Sequence, residues 1–226
     1  MMTSDSDING FTLLEILVAM VIFSVTMMTL FSSVKTFLHS ADQVKSELSV
    51  DGRFSTGLQI MAADLEQIFI LQPPRYRKPG FNDDPDLYRF SGTDELVDGT
   101  LFSRLVFAST HHLNLGQDTR HGVARITYYV HPQGNSFNLH RSDLLFPYDT
   151  EVNPCTDPIL ARDIHSFTLT FIAHQGDEHD FWDSDAESFE FALPARVTIA
   201  LQMAPEPSGR QIDTGMTLPV SRRVFQ

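Results

Sequence analysis

From Ile16 to Val34 the chain runs for nineteen residues without a charge, ILVAMVIFSVTMMTLFSSV. With Phe11–Leu14 the apolar stretch reaches 24 residues, interrupted once, by Glu15. A helix rises about 1.5 Å per residue and the hydrocarbon core of a bilayer is about 30 Å thick, so roughly twenty apolar residues cross it. Buried helices of soluble proteins rarely continue for five turns without a charge. Residues 11–34 are therefore expected to span a membrane once. A removable secretory signal would need a basic leader, a shorter apolar run and a small-residue cleavage site after it. The leader MMTSDSDING holds no Lys or Arg, and no A-x-A pattern follows the apolar run.

Glu15 does not suit an ordinary span. An ionised carboxylate in hydrocarbon costs at least ~2.5 kcal/mol unless it is paired, and the segment contains no Lys, Arg or His. The nearest cation would be a free amine created by cutting the chain just before Phe11. Gly10-Phe11-Thr12-Leu13-Leu14-Glu15, followed by the uniform apolar run, resembles the type III signal of type IV pilins and type II secretion pseudopilins. The resemblance implies that a prepilin peptidase cuts between Gly10 and Phe11 and that Phe11 is then N-methylated. It also implies that Glu15 pairs with the N-terminal amine of a neighbouring subunit and so sets the axial register of a filament. The chain departs from the family in its leader, which carries Asp5 and Asp7 where basic residues are usual. Charge bias does not favour a cytoplasmic N-terminus here. Orientation is expected to come from the targeting machinery and from helix hydrophobicity.

Beyond the span the pattern changes twice. All sixteen Lys and Arg lie at or after Lys35. From there to Gln72 the apolar residues Leu38, Val44, Leu48, Phe54, Leu58, Met61, Leu65, Ile68 and Phe69 keep a helical period, leaving one apolar stripe. Gly52 and Gly57 each weaken helix propensity by roughly 1 kcal/mol, so a bend or break is plausible there, and Pro73-Pro74 ends the helix. The run 73–92 is rich in Pro, Gly, Asp and Arg and reads as a loop. After it the period becomes two. Ile126/Tyr128/Val130, Phe167/Leu169/Phe171 and Val197/Ile199/Leu201/Met203 each mark a strand with one buried face. Weaker candidates are Arg104–Ser109, Ser136–His140 and Met216–Phe225. Turns such as Pro132-Gln133-Gly134-Asn135 imply antiparallel pairing.

The expected fold is α+β and pilin-like, one long N-terminal helix packed on an antiparallel β-sheet head. Residues 1–10 are the leader, 11–34 the membrane-spanning half of the helix, 35–72 its periplasmic half, and 73–226 a β-rich periplasmic head.

Several head segments resemble the J class of minor pseudopilins of type II secretion. They are Asp180-Phe181-Trp182-Asp183, Leu193-Pro194-Ala195-Arg196-Val197, Arg125–Val130 with Leu139-His140-Arg141, Met61–Gln67 with Asp64 as its acid, and Arg222-Arg223-Val224-Phe225. The resemblance implies a structural subunit near the tip of a short periplasmic filament, anchored once in a bacterial inner membrane. Its implied partners are the prepilin peptidase, the I- and K-class minor pseudopilins and the major pseudopilin. A minor pilin of a type IV pilus is the near alternative, and a membrane-tethered periplasmic enzyme a more distant one.

The remaining chemistry is sparse. A net charge of −13 is the wrong sign for nucleic acid. Cys155 is alone, so no intramolecular disulfide forms. No HExxH or Cys/His cluster announces zinc. His111-His112 closes a strand candidate, where adjacent side chains face opposite ways. An EF-hand loop from Asp183 would need Gly and Glu where Ser188 and Pro194 stand, so the acidic stretch Asp177–Glu187 reads as a solvated loop, with a looser calcium site as the alternative. Trp182 is expected to anchor the core or a subunit contact. No catalytic residue, metal ligand or cofactor is expected, and the chain is expected to work by assembly.

Overall fold

The computed structural model describes residues 13–80, 83–113, 121–148, 152–203 and 211–222; for Glu15, Ile16, Ala19 and 32–55 only the backbone is described. Helix α1 spans Leu13–Glu66, and the chain divides into two compact units, Met1–Gly52 and Arg53–Gln226.

In the first unit the described part of α1 is helical from Leu13, and Leu13, Leu17, Met20, Phe23, Met28 and Phe31 are all exposed. Its hydroxyls turn back on the helix. Ser24 Oγ donates to Met20 O at 2.8 Å, Thr26 Oγ1 to Ile22 O and Phe23 O at 3.0 and 2.8 Å, and Thr29 Oγ1 to Thr26 O at 2.8 Å. Such bonds satisfy polar groups without water, as an apolar medium requires. Among the described residues no helix is long and apolar enough to cross a membrane. The expected span, 11–34, begins outside those residues, and part of its side chains lies outside them too.

In the second unit the last turns of α1 carry the predicted stripe. Met61, Leu65 and Ile68 enter the core, with Leu58 packed at its edge. Gly57 does not break the helix. A Cβ there would stand 3.1 Å from Leu160 O, so the missing side chain lets helix and strand approach. The helix stops at Glu66, not at Gln72 as the periodicity predicts. The end of a strand captures its terminal carbonyls. Ser109 Oγ donates to Asp64 O and Gln67 O, both at 3.0 Å, and Thr110 N–H donates to Gln67 O at 3.0 Å. Phe69 N–H donates to Ala108 O at 2.8 Å, drawing Ile68 into a β-bridge with Ser109.

The nine described strands are β1 Ser91–Val97, β2 Thr100–Ser109, β3 Ala124–Gln133, β4 Ser136–Leu145, β5 Ile159–Ile172, β6 Glu178–His179, β7 Trp182–Asp183, β8 Arg196–Met203 and β9 Gln211–Thr217. All pair antiparallel in one sheet of order β7-β1-β2-β3-β4-β5-β8-β9, with β6 on β5. The antiparallel head is as expected.

The sheet curls. β5 pairs β4 only up to Ile164, is bulged, and then follows β8. Leu169 N–H donates to Ser103 Oγ of β2 at 3.0 Å, and Phe171 packs against β1 at Gly92. β6 on β5 and β7 on β1 are four residues of one short segment, which brings the two edges together. Phe90, Phe107, Phe171, Trp182, Leu193 and Ile199 fill the interior.

Three details differ from the pattern reading. β1 begins in the last two residues of the expected loop 73–92 and runs on where no strand is expected, because Asp98 (φ 46°) and Gly99 (φ 83°) form a two-residue hairpin turn onto β2. β9 covers Gln211–Thr217, and the expected strand Met216–Phe225 does not continue over 218–222, where the chain leaves the sheet to bury Arg222; its last residues, 223–225, lie outside the described residues. The middle strands also bury both faces. Thr127, Tyr129, His140 and Ser142 on the far side are at most 4% exposed. Segment 153–158 covers Tyr129 and His140, since Tyr129 Oη donates to Asp157 Oδ2 at 2.9 Å and Asp157 O lies 3.2 Å from His140 Nδ1.

Candidate functional site

Gly10 and Phe11, the expected cleavage and methylation residues, lie outside the described residues, and Glu15 is described only as helical backbone. The geometry on hand is that of the head, where two buried polar clusters stand out.

The first joins α1 to the sheet. Asp64 occupies the buried face of the last helical turn, between Met61 and Leu65, and is fully buried. Arg141 follows Leu139 on the inward face of β4 and is fully buried as well. Its guanidinium grips Asp64 with both arms, Nε to Oδ2 at 2.8 Å and Nη2 to Oδ1 at 3.0 Å. Nη1 donates to Asp143 Oδ2 at 2.6 Å and Nη2 also to His111 O at 3.1 Å. Tyr128 Oη donates to Asp64 Oδ2, and His111 Nδ1 lies 2.5 Å from Asp64 Oδ1. His112 Nδ1 lies 2.7 Å from Asp143 Oδ1, and Leu113 N–H donates to Asp143 Oδ2 at 2.8 Å. Burial, then the Asp64 charge and hydrogen bond, push the Tyr128 phenol well above its ordinary value, so it stays a donor. Burial alone would lower the Arg141 pKa, but its bonds to Asp64 and the charges of Asp64 and Asp143 raise it. The guanidinium therefore stays charged.

His111 and His112 were expected to face opposite ways at the end of a strand. They sit just past β2 instead, and both rings reach carboxylates held by Arg141. Free of the strand's alternation, adjacent residues can serve one cluster.

The second cluster ties the C-terminal segment to the loop after α1. Arg222 is 1% exposed and stacks on Tyr76 at 3.5 Å. It donates to Phe191 O at 2.7 Å, Ser184 O at 2.5 Å, Asp185 Oδ1 at 3.3 Å and Asp86 Oδ2 at 3.4 Å. Burial, with help from Asp185 and Asp86 and against Arg222, raises the Tyr76 phenol to about 12. Beside the cluster an open cleft of about 340 Å³ is lined by Asp83, Arg89, Asp183, Asp185, Glu187 and Phe191. Asp183 pairs with Arg89 at 3.7 Å. Among the described residues, no three His, Cys, Asp or Glu are placed to hold a metal ion. Trp182 is a core anchor, stacked on Phe189 at 4.3 Å with Nε1–H donating to Ala192 O at 2.9 Å.

Asp64, Arg141 and Arg222 stand out in the sequence only through their resemblance to family motifs, Tyr128 only as an inward strand residue, Asp185 only as part of the acidic stretch 177–187, and Asp143 not at all. A signal for the first pair was present: an acid inside an apolar helical stripe and an arginine two residues from a buried leucine in a strand.

Residues 6–31 match the prokaryotic N-terminal methylation motif, a stretch that includes Gly10, Phe11 and Glu15. The chain thus carries a type IV pilin-like signal, which implies processing by a prepilin peptidase, anchoring through the N-terminus and pilin-like assembly partners. No curated protein matches the chain.

Proposed function

We propose that this chain is a minor pseudopilin of the J class, a non-enzymatic structural subunit near the tip of a type II secretion pseudopilus. The observation that carries the reading is the methylation motif over residues 6–31. The head adds support. Asp64 and Arg141, which stand in two of the segments that resemble the J class, meet in one buried bidentate pair, and Arg222 of a third closes a second cluster. In this reading the prepilin peptidase cuts between Gly10 and Phe11, Phe11 is methylated, and the helix packs among those of I-class, K-class and major pseudopilins. Glu15 is then neutralised in the apolar medium by a neighbour's terminal amine. The head lies in the periplasm, and assembly is its work.

Intact mass of the protein purified from its membrane tests the class. The expected species lacks the first ten residues and carries one added methyl group. A chain that still begins at Met1 refutes the reading. Glu15→Ala tests the mechanism: the variant should stay in the membrane but drop out of the complex that co-purifies with the wild-type chain. Its undiminished incorporation would remove the pairing role of Glu15.

A further inference from the structure

We infer that the free edge of β1, Thr93–Val97, is a docking site for an extended, basic segment of another protein, added to the sheet as a further strand. Among the described residues, β1 is paired on that side only at Ser91 and Gly92, by the two residues of β7. Beyond Gly92 the strand keeps its full ladder to β2, so the backbone is already held straight while, among the described residues, its outward N–H and C=O groups have no ladder partner.

The side chains along this edge combine an exposed apolar pair with acidic neighbours that disfavour pairing with a like-charged strand. Leu96 stands directly opposite Leu101 in the β1–β2 register, on one face of the hairpin, and the two are 69% and 59% exposed. An added strand would place a side chain of its own beside Leu96 and extend that pair into an apolar row. The neighbouring groups are acidic. Asp94 shares the Leu96 face and accepts from Ser103 Oγ at 2.8 Å, Glu95 on the other face pairs with Arg104 at 3.2 Å, and Asp98 closes the edge at the turn. These charges choose the occupant. A second copy of the chain pairing through the same edge would set acid against acid, which is unfavourable in a ladder. A segment with basic residues opposite Asp94 and Glu95 and an apolar one beside Leu96 satisfies every group on the edge.

The full chain in detergent micelles is titrated with the acetylated, amidated hexapeptide Thr-Val-Lys-Lys-Thr-Val and with its twin Thr-Val-Glu-Glu-Thr-Val. Binding is read by fluorescence anisotropy and located by amide hydrogen exchange. The basic peptide is expected to bind saturably, to slow exchange at Thr93–Val97 and not at β9, and to weaken as salt rises. The acidic twin should bind about tenfold more weakly, the difference made when two surface ion pairs of ordinary strength are replaced by two like-charge contacts. Asp94→Lys/Glu95→Lys, checked for unchanged exchange in β3–β5, should reverse the order of the two peptides. Equal binding of both peptides, protection confined to β9, or protection of Thr93–Val97 that grows with protein concentration alone would each overturn the inference, the last by making a second copy the occupant.

Discussion

Asp64 bears the sharpest test of how the head is held to the end of α1. Asp64→Ala removes the acceptor of two Arg141 bonds and of the Tyr128 hydroxyl, all three residues fully buried, and the partner of the half-buried His111. Removing one partner of a buried ion pair typically costs about 3–5 kcal/mol, because the other charge stays buried. Asp143 still holds Arg141 Nη1 at 2.6 Å, which keeps the expected loss near the lower end, about 3 kcal/mol. That is a large share of the roughly 5–15 kcal/mol that holds an ordinary domain together. Urea unfolding of the full chain in micelles, followed by Trp182 fluorescence, measures it. The companion Asp64→Leu/Arg141→Met removes both charges and keeps the volume, so it should be far less damaging than either single change. A loss below about 1 kcal/mol for Asp64→Ala, or additive losses in the double variant, would refute the claim that the pair acts as one buried unit.

Two further outcomes follow from the same geometry. Gly92→Ala places a methyl group 2.0 Å from Phe171 Cζ, a ring with no exposed surface, so the variant should lose about 2–3 kcal/mol or fail to accumulate, read by unfolding midpoint or soluble yield. For His140, burial and then the neighbouring His131 hold the imidazole below its ordinary value, against the hydrogen bond to Asp157 O. The unfolded chain therefore takes up the proton more readily, so this residue's contribution is full above about pH 6.5 and is lost as pH falls below it. His140→Gln should flatten the fall in stability between pH 7 and 5. An unchanged slope would remove His140 from the account.

Much of this protein was legible along the chain because its signals are local. The apolar stretch interrupted once by Glu15, and Gly10-Phe11 at its start, need no tertiary contact to be recognised, and the motif match covers those same residues. The strands at 126–130, 167–171 and 197–203 were visible because alternation is a nearest-neighbour property, and they fall inside β3, β5 and β8.

What contacts between distant segments decide could not be read that way. The helix ends at Glu66 because Ser109 and Thr110, over forty residues away, cap its carbonyls. β9 stops early because Arg222 finds charges at Asp86 and Asp185. Tyr129 and His140 look solvent-facing by alternation and are buried because segment 153–158 folds over them. Asp64 and Arg141 are 77 positions apart, and an acid or a guanidinium carries no mark along the chain of whether water or an opposite charge will surround it. Periodicity records which way a side chain points, and the curl of the sheet decides what it meets there.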